Sequence, residues 1–123
     1  DEMLVHYFKH AKMDYYSNVL TRSFPKGLDI EIFSRKTLVR AYQKASLHYD
    51  LEHVTPYIYR HPQLFKLYNF EQMIHHSEVN LSVDTLSDFE FIESFLRKIP
   101  NPFEASYQQY KSLFNSRDLY SLR

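Results

Sequence analysis

Carboxylates and histidines stand at several places in this chain where their types and spacing could do chemistry. Asp29 and Glu31 alternate with aliphatic residues in GLDIEIFS (27–34). On a strand they would share one face, roughly 7 Å apart. Two carboxylates so placed repel each other and would repel phosphates. They suit hydroxyl donors, such as a sugar's, or basic side chains; the plainer alternative is the solvated face of an edge strand. Gly27, the only glycine in 123 residues, opens that stretch. A chain so poor in glycine is expected to keep it where φ must be positive or another group comes close.

Asp84 ends the apolar run 79–83 and precedes a helix that Thr85 can cap. In open α/β sheets ligands gather beyond the carboxyl ends of strands. A carboxylate there can hold Mg²⁺ beside a nucleotide's phosphates, because Mg²⁺ takes one or two carboxylates plus phosphate oxygens and water. The alternative role is helix capping alone. Glu52 and His53 could bind a polyol or perform acid–base work. Otherwise Glu52 stabilises the start of the next helix and His53 fills a hydrogen bond. His6 and His10 have the i, i+4 spacing of a metal pair but no evident third ligand, and His75-His76 is no stronger. G-x-S-x-G, H-E-x-x-H and C-x-x-C are all absent.

Composition narrows the function classes. Fifteen basic and fifteen acidic residues balance, and the pI is about 7.2. The basic stripe of a nucleic-acid binder is missing. With no cysteine there is no disulfide, thiolate metal site or cysteine nucleophile. No apolar run approaches a membrane span, and the opening DEMLVHYF does not read as a signal peptide, so the expected location is cytoplasmic. A single glycine, where about nine would be ordinary, excludes a glycine-rich phosphate-wrapping loop within these residues. Eleven tyrosines and ten phenylalanines suit either a tyrosine-rich rim of the core or a half-apolar, half-wet surface, through which a homodimer is expected.

These groups need elements to hold them. Periodicity predicts a helix over 2–12, with Leu4, Phe8 and Ala11 as its stripe, and strands over 14–20 and 28–33. Ser34 should cap a helix over 35–46 whose buried stripe is Leu38, Tyr42 and Ala45. Pro56 fits the first turn of a further helix, and Pro62 stops it. Strands are expected at 63–70 and 78–83. A helix follows over 84–99, with Phe89, Ile92, Leu96 and Ile99 inward, and a last one covers about 103–115. The polar tail 116–123 should fray. Strands alternating with helices make the class α/β, with a mixed sheet of about four strands and flanking helices.

Five blocks then fall into a known order: DYYSN (14–18), FPKGLDIEIFS (24–34), EHVTPYIYRHP (52–62), FKLYNF (65–70) and VDTLSDFEFI (83–92). In that order and spacing they resemble the carboxyl half of the spore coat polysaccharide biosynthesis protein F family. That family is similar to the acylneuraminate and 3-deoxy-manno-octulosonate cytidylyltransferases, and the resemblance covers roughly residues 1–100. It implies one half of a Rossmann-like nucleotide-diphospho-sugar transferase fold, with residues 1–115 as the sugar-side and dimerisation lobe. It implies Mg²⁺-assisted transfer of a nucleotidyl group, typically CMP from CTP, to a sugar or sugar acid for surface polysaccharide.

Carried over by position, Asp84 matches a metal aspartate of the family. Gly27, Asp29 and Glu31 match its acceptor-side strand, Glu52 and His53 its EHVT block, and Ser17 with Asn18 its DY-SN block. The family's triphosphate loop and first metal aspartate have no counterpart here. The chain is therefore expected to be cut from a longer enzyme and inactive by itself. Leu51 stands where the family usually has Arg, and Leu86 where it usually has Pro; loss of that Arg points away from an anionic acceptor, or from CTP-dependent activity altogether. A different class of function, a non-catalytic sugar-binding or dimerisation module, keeps the fold without the chemistry.

Overall fold

A computed structural model describes residues 2–10 and 12–114. The expected tail 116–123 lies outside them. The chain divides into two compact units: residues 1–24 with 29–75, and residues 25–28 with 76–123.

The first unit is built on a three-stranded mixed sheet. β1 (Tyr15–Ser17) is central, β2 (Glu31–Phe33) lies antiparallel to it, and β3 (Leu67–Asn69) lies parallel on its other side. Register pairs Tyr15 with Phe33 and Leu67, and Ser17 with Glu31 and Asn69. Directly opposed residues share a face. Tyr15, Phe33 and Leu67 therefore meet one core, together with Ala41, Ile58 and Phe65. Those come from α2 (Arg35–Lys44), α4 (Pro56–Arg60) and the loop before β3. The short α3 (His48–His53) packs beside α4. On the opposite face Tyr16 and Tyr68 stack with centroids 4.9 Å apart, and His6 of α1 (Glu2–Lys9) accepts or donates a 2.8 Å bond with the Tyr16 hydroxyl.

The second unit packs Val79, Phe95, Ile99 and Phe114 together. Phe95 lies on α5 (Leu86–Leu96) and Phe114 on α6 (Tyr107–Phe114). Thr85 and Asp88 form a full capping box at the start of α5.

Several expected elements are shorter or turned. β1 stops at Ser17 because Asn18 turns away, its Oδ1 taking the Ile30 N–H at 2.8 Å. The expected strand 78–83 contributes one bridge, Lys26 to Asn80, so the described residues hold three strands rather than four. In α2 the buried residues are Thr37 and Ala41, while Tyr42 is 72% exposed. Ala41 joins the core with Tyr15 and Ile58, α2 packs against α4, and the Thr37 hydroxyl is satisfied at Ser34 Oγ, 3.0 Å away. In α1, Met3 is buried while Leu4 and Phe8 face outward. In α5, Phe95 takes the inward place expected of Phe89.

Candidate functional site

The first unit carries a cleft of about 500 Å³ at the open end of β1 and β2, bounded by the β1–β2 loop and the α3–α4 joint. Asp29, Glu31 and His53 line it with Arg22, Tyr49, Thr55 and Tyr59. Each is held by a local cause. Ser17 and Asn18 are buried. The Ser17 hydroxyl donates to the Ile30 carbonyl at 3.0 Å, and Asn18 holds the Ile30 N–H. Between them they pin the backbone at Ile30, so the flanking Asp29 and Glu31 have fixed directions.

Glu31 is braced from two sides. The Tyr15 hydroxyl donates to its Oε1, and the Thr55 hydroxyl donates at 3.0 Å to Oε1 and 3.3 Å to Oε2. A carboxylate has about four lone-pair sites, so acceptor capacity remains on the exposed side. Burial, and then the bond to Glu31, raises the Tyr15 pKa well above the ordinary phenol value, which keeps it a donor. Burial likewise raises Tyr59, with the phenol of Tyr49 and the carboxylate of Glu31 adding to the effect.

Thr55 reaches Glu31 through an unusual joint. Val54 has φ 63° and ψ −60°, and the Thr55 N–H donates to the His53 carbonyl at 2.7 Å. This is a γ-turn of the rare form, at a β-branched residue, and such backbone costs about 1–3 kcal/mol. It ends α3 abruptly and begins α4 at Pro56.

Asp29 is claimed by Arg22, which donates twice, at 2.6 and 2.9 Å. That bidentate bond raises the Arg22 pKa further. Of the expected binding residues, the buried Ser17 and Asn18 are not among those lining the cleft, and neither is Glu52. Its carboxylate is exposed, 3.6 Å from His48 Nδ1 and 4.0 Å from His53 Nε2. His53 does line the cleft, its ring 4.4 Å from that of Tyr49.

Gly27 and Asp84 belong to the second unit. Gly27 has φ 97°, and a Cβ there would meet the Leu81 carbonyl carbon and the Ser82 nitrogen at 2.8 Å. The glycine thus permits the Lys26–Asn80 bridge, where Lys26 N–H donates to Val79 and Leu81 N–H to Lys26. Thr85 and Asp88 do the capping of α5, and Thr85's hydroxyl chiefly lowers the Asp88 pKa. The Asp84 carboxylate is left 68% exposed, with Lys26 Nζ at 3.6 Å. Its hard oxygens fit one ligand position of Mg²⁺. The described residues hold no cluster of three metal-capable side chains; phosphate oxygens, water and other carboxylates would complete such a shell. His6 and His10 stack on each other at 4.1 Å, and His6 Nδ1 is engaged by Tyr16.

Sequence reasoning missed Arg22, Tyr49 and Tyr59. Tyr15 and Tyr59 stood inside the motif blocks without a role, and Thr55 only as a possible helix start. Nothing in the local pattern of TRSFPKG marks Arg22 as the partner of Asp29.

No protein-family model matches the chain. An uncharacterized protein of Methanocaldococcus jannaschii, MJ1063, is 36% identical over 88 residues, spanning 70% of this chain and 35% of that relative. The structure matches that of a cytidylyltransferase from Leptospira borgpetersenii with a TM-score of 0.88 and 25% identity, over 99% of this chain and 50% of the other. The chain therefore has the fold of about half of that cytidylyltransferase, and it spans about a third of the curated relative's length.

Proposed function

We propose that the chain is the acceptor-side, carboxyl-terminal lobe of a sugar cytidylyltransferase that activates a sugar or sugar acid for surface polysaccharide. The observation that carries this reading is the fold match to a cytidylyltransferase over 99% of the chain. The cleft supports it, because braced carboxylates beside tyrosine rings suit hydroxyl-rich ligands.

In the proposed reaction an acceptor hydroxyl oxygen attacks the α-phosphorus of CTP and gives up its proton to solvent. A sugar–phosphorus ester bond forms, the bond to the β-phosphate oxygen breaks, and pyrophosphate leaves. Glu31 accepts from a sugar hydroxyl while Tyr15 and Thr55 keep its carboxylate aimed. Arg22 and Asp29, locked together, shape the cleft's other edge. Asp84 would contribute one ligand to Mg²⁺, which when bound offsets charge on the phosphates.

The test is pyrophosphate release by the intact protein from CTP and Mg²⁺ against a panel of sugars and sugar acids. Release that depends on both CTP and an acceptor is expected. Acceptor binding without any turnover would leave only a binding module. The 123 residues alone should release no pyrophosphate above a no-protein control.

A further inference from the structure

The charges lining the acceptor cleft do not balance, and the imbalance selects among acceptors. Arg22 is spent on Asp29 through two hydrogen bonds, at 2.6 and 2.9 Å. Any charge on His53 is matched by Glu52, whose carboxylate is 4.0 Å from its Nε2. Arg60 is not among the residues lining the cleft; its guanidinium is 5.2 Å from the Tyr49 ring and pairs with the buried carboxylate of Asp50. Glu31, by contrast, is met by two hydroxyls, Tyr15 and Thr55, and those donors are neutral. Leu51 lines a separate apolar hollow of about 330 Å³ with Leu38 and Val54, so it brings no side chain to the cleft.

We infer that this cleft takes a sugar without a carboxylate, bound through its hydroxyls to Glu31 and through its apolar face to Tyr49 and Tyr59, and that it discriminates against sugar acids. The inference rests on the acceptor role proposed above and narrows it. An acid's carboxylate would have no unpaired cation among the residues lining the cleft and would sit near the uncompensated charge of Glu31. Two like charges roughly 6 Å apart, at an effective dielectric of about 40, weaken binding about tenfold.

The experiment measures binding to the intact protein of matched pairs: glucose with glucuronate, galactose with galacturonate, mannose with mannuronate. Calorimetric or saturation-transfer titration at low salt should favour the uncharged member by at least about tenfold in at least one pair. The gap should narrow in Glu31→Gln, and in the unsubstituted protein at about 1 M salt, where screening acts within about 3 Å. Equal or tighter uronate binding, a gap indifferent to both salt and Glu31→Gln, or no binding by either member of every pair would overturn the inference. Pyrophosphate release is scored separately. A surviving binding gap without turnover sinks the transferase reading alone, whereas turnover that prefers uronates sinks the charge selection alone.

Discussion

Asp84 carries a carboxylate that the adjoining helix does not use. The Asp88 side chain takes the backbone N–H groups of both Asp84 and Thr85, at 3.2 and 2.9 Å. If Asp84 holds Mg²⁺ in the intact enzyme, Asp84→Asn should cut kcat/KM for pyrophosphate release by about 100-fold, with unchanged thermal stability. Near-normal kinetics would remove Asp84 from the reaction. Gly27→Ala belongs to the same scale but acts on stability. Its Cβ would press on backbone at 2.8 Å and sit at a φ of 97°, so urea denaturation should show a loss of more than about 1 kcal/mol. Asp29 and Glu31 could be recognised as a pair from their spacing alone, because alternation is a local property of two neighbouring peptide units. Their different partners could not: one meets a cation and the other meets two hydroxyls, and those partners arrive from other segments.

At the scale of elements, the caps were legible and the helix faces were not. Ser34 caps α2 by accepting the Thr37 N–H at 3.1 Å. Ser34→Ala should cost about 1 kcal/mol in chemical denaturation. A serine before a helical run is a short-range signal and reads correctly from the chain. Which stripe of α2 faces inward depends on what it packs against: Thr37 and Ala41 are buried, the expected Leu38 and Ala45 are half-buried, and the expected Tyr42 is exposed. The α3–α4 joint was equally hidden, since valine is a poor sign of positive φ. Val54→Gly should relieve the turn and raise the melting temperature, the relief of about 1–3 kcal/mol exceeding glycine's entropy cost of about 0.5–1 kcal/mol. It should also raise the acceptor KM as Thr55 loosens from Glu31. A lower melting temperature with KM unchanged would show that the turn carries no strain and no aim.

At the scale of the whole molecule, tyrosines tie stability to alkaline pH. Tyr15 and Tyr16 are fully buried in the central strand. Burial is the main cause that pushes Tyr16 up to about 12 from 10.0, and it raises Tyr15 as well. Above pH 10 the unfolded chain releases phenolic protons that the folded chain retains. The stabilisation is therefore complete below pH 10 and is lost as pH rises toward 12 and beyond. Denaturant midpoints should be flat, so far as these groups govern them, from pH 8 to pH 10 and then fall. Phenolate absorbance from the buried rings should appear together with unfolding. Titration of every tyrosine near pH 10 with the fold intact would contradict this packing.

The amino-acid sequence alone determined the α/β class, the capped starts of α2 and α5 and the special place of Gly27, and it paired Asp29 with Glu31, which line one cleft although the expected strand 28–33 begins only at Glu31. The caps and the alternation rest on forces acting within a few residues of one another, whereas the glycine is required because the backbone of Leu81 and Ser82 comes against it from far along the chain. Tertiary structure decided the rest: that Tyr15 and Thr55 converge on Glu31 across 16 and 24 residues of chain, that Arg22 turns back onto Asp29, and that the expected fourth strand shrinks to one bridge. Such contacts form only when loop closure and core burial bring distant segments together, and no local pattern of residues encodes which segments will meet.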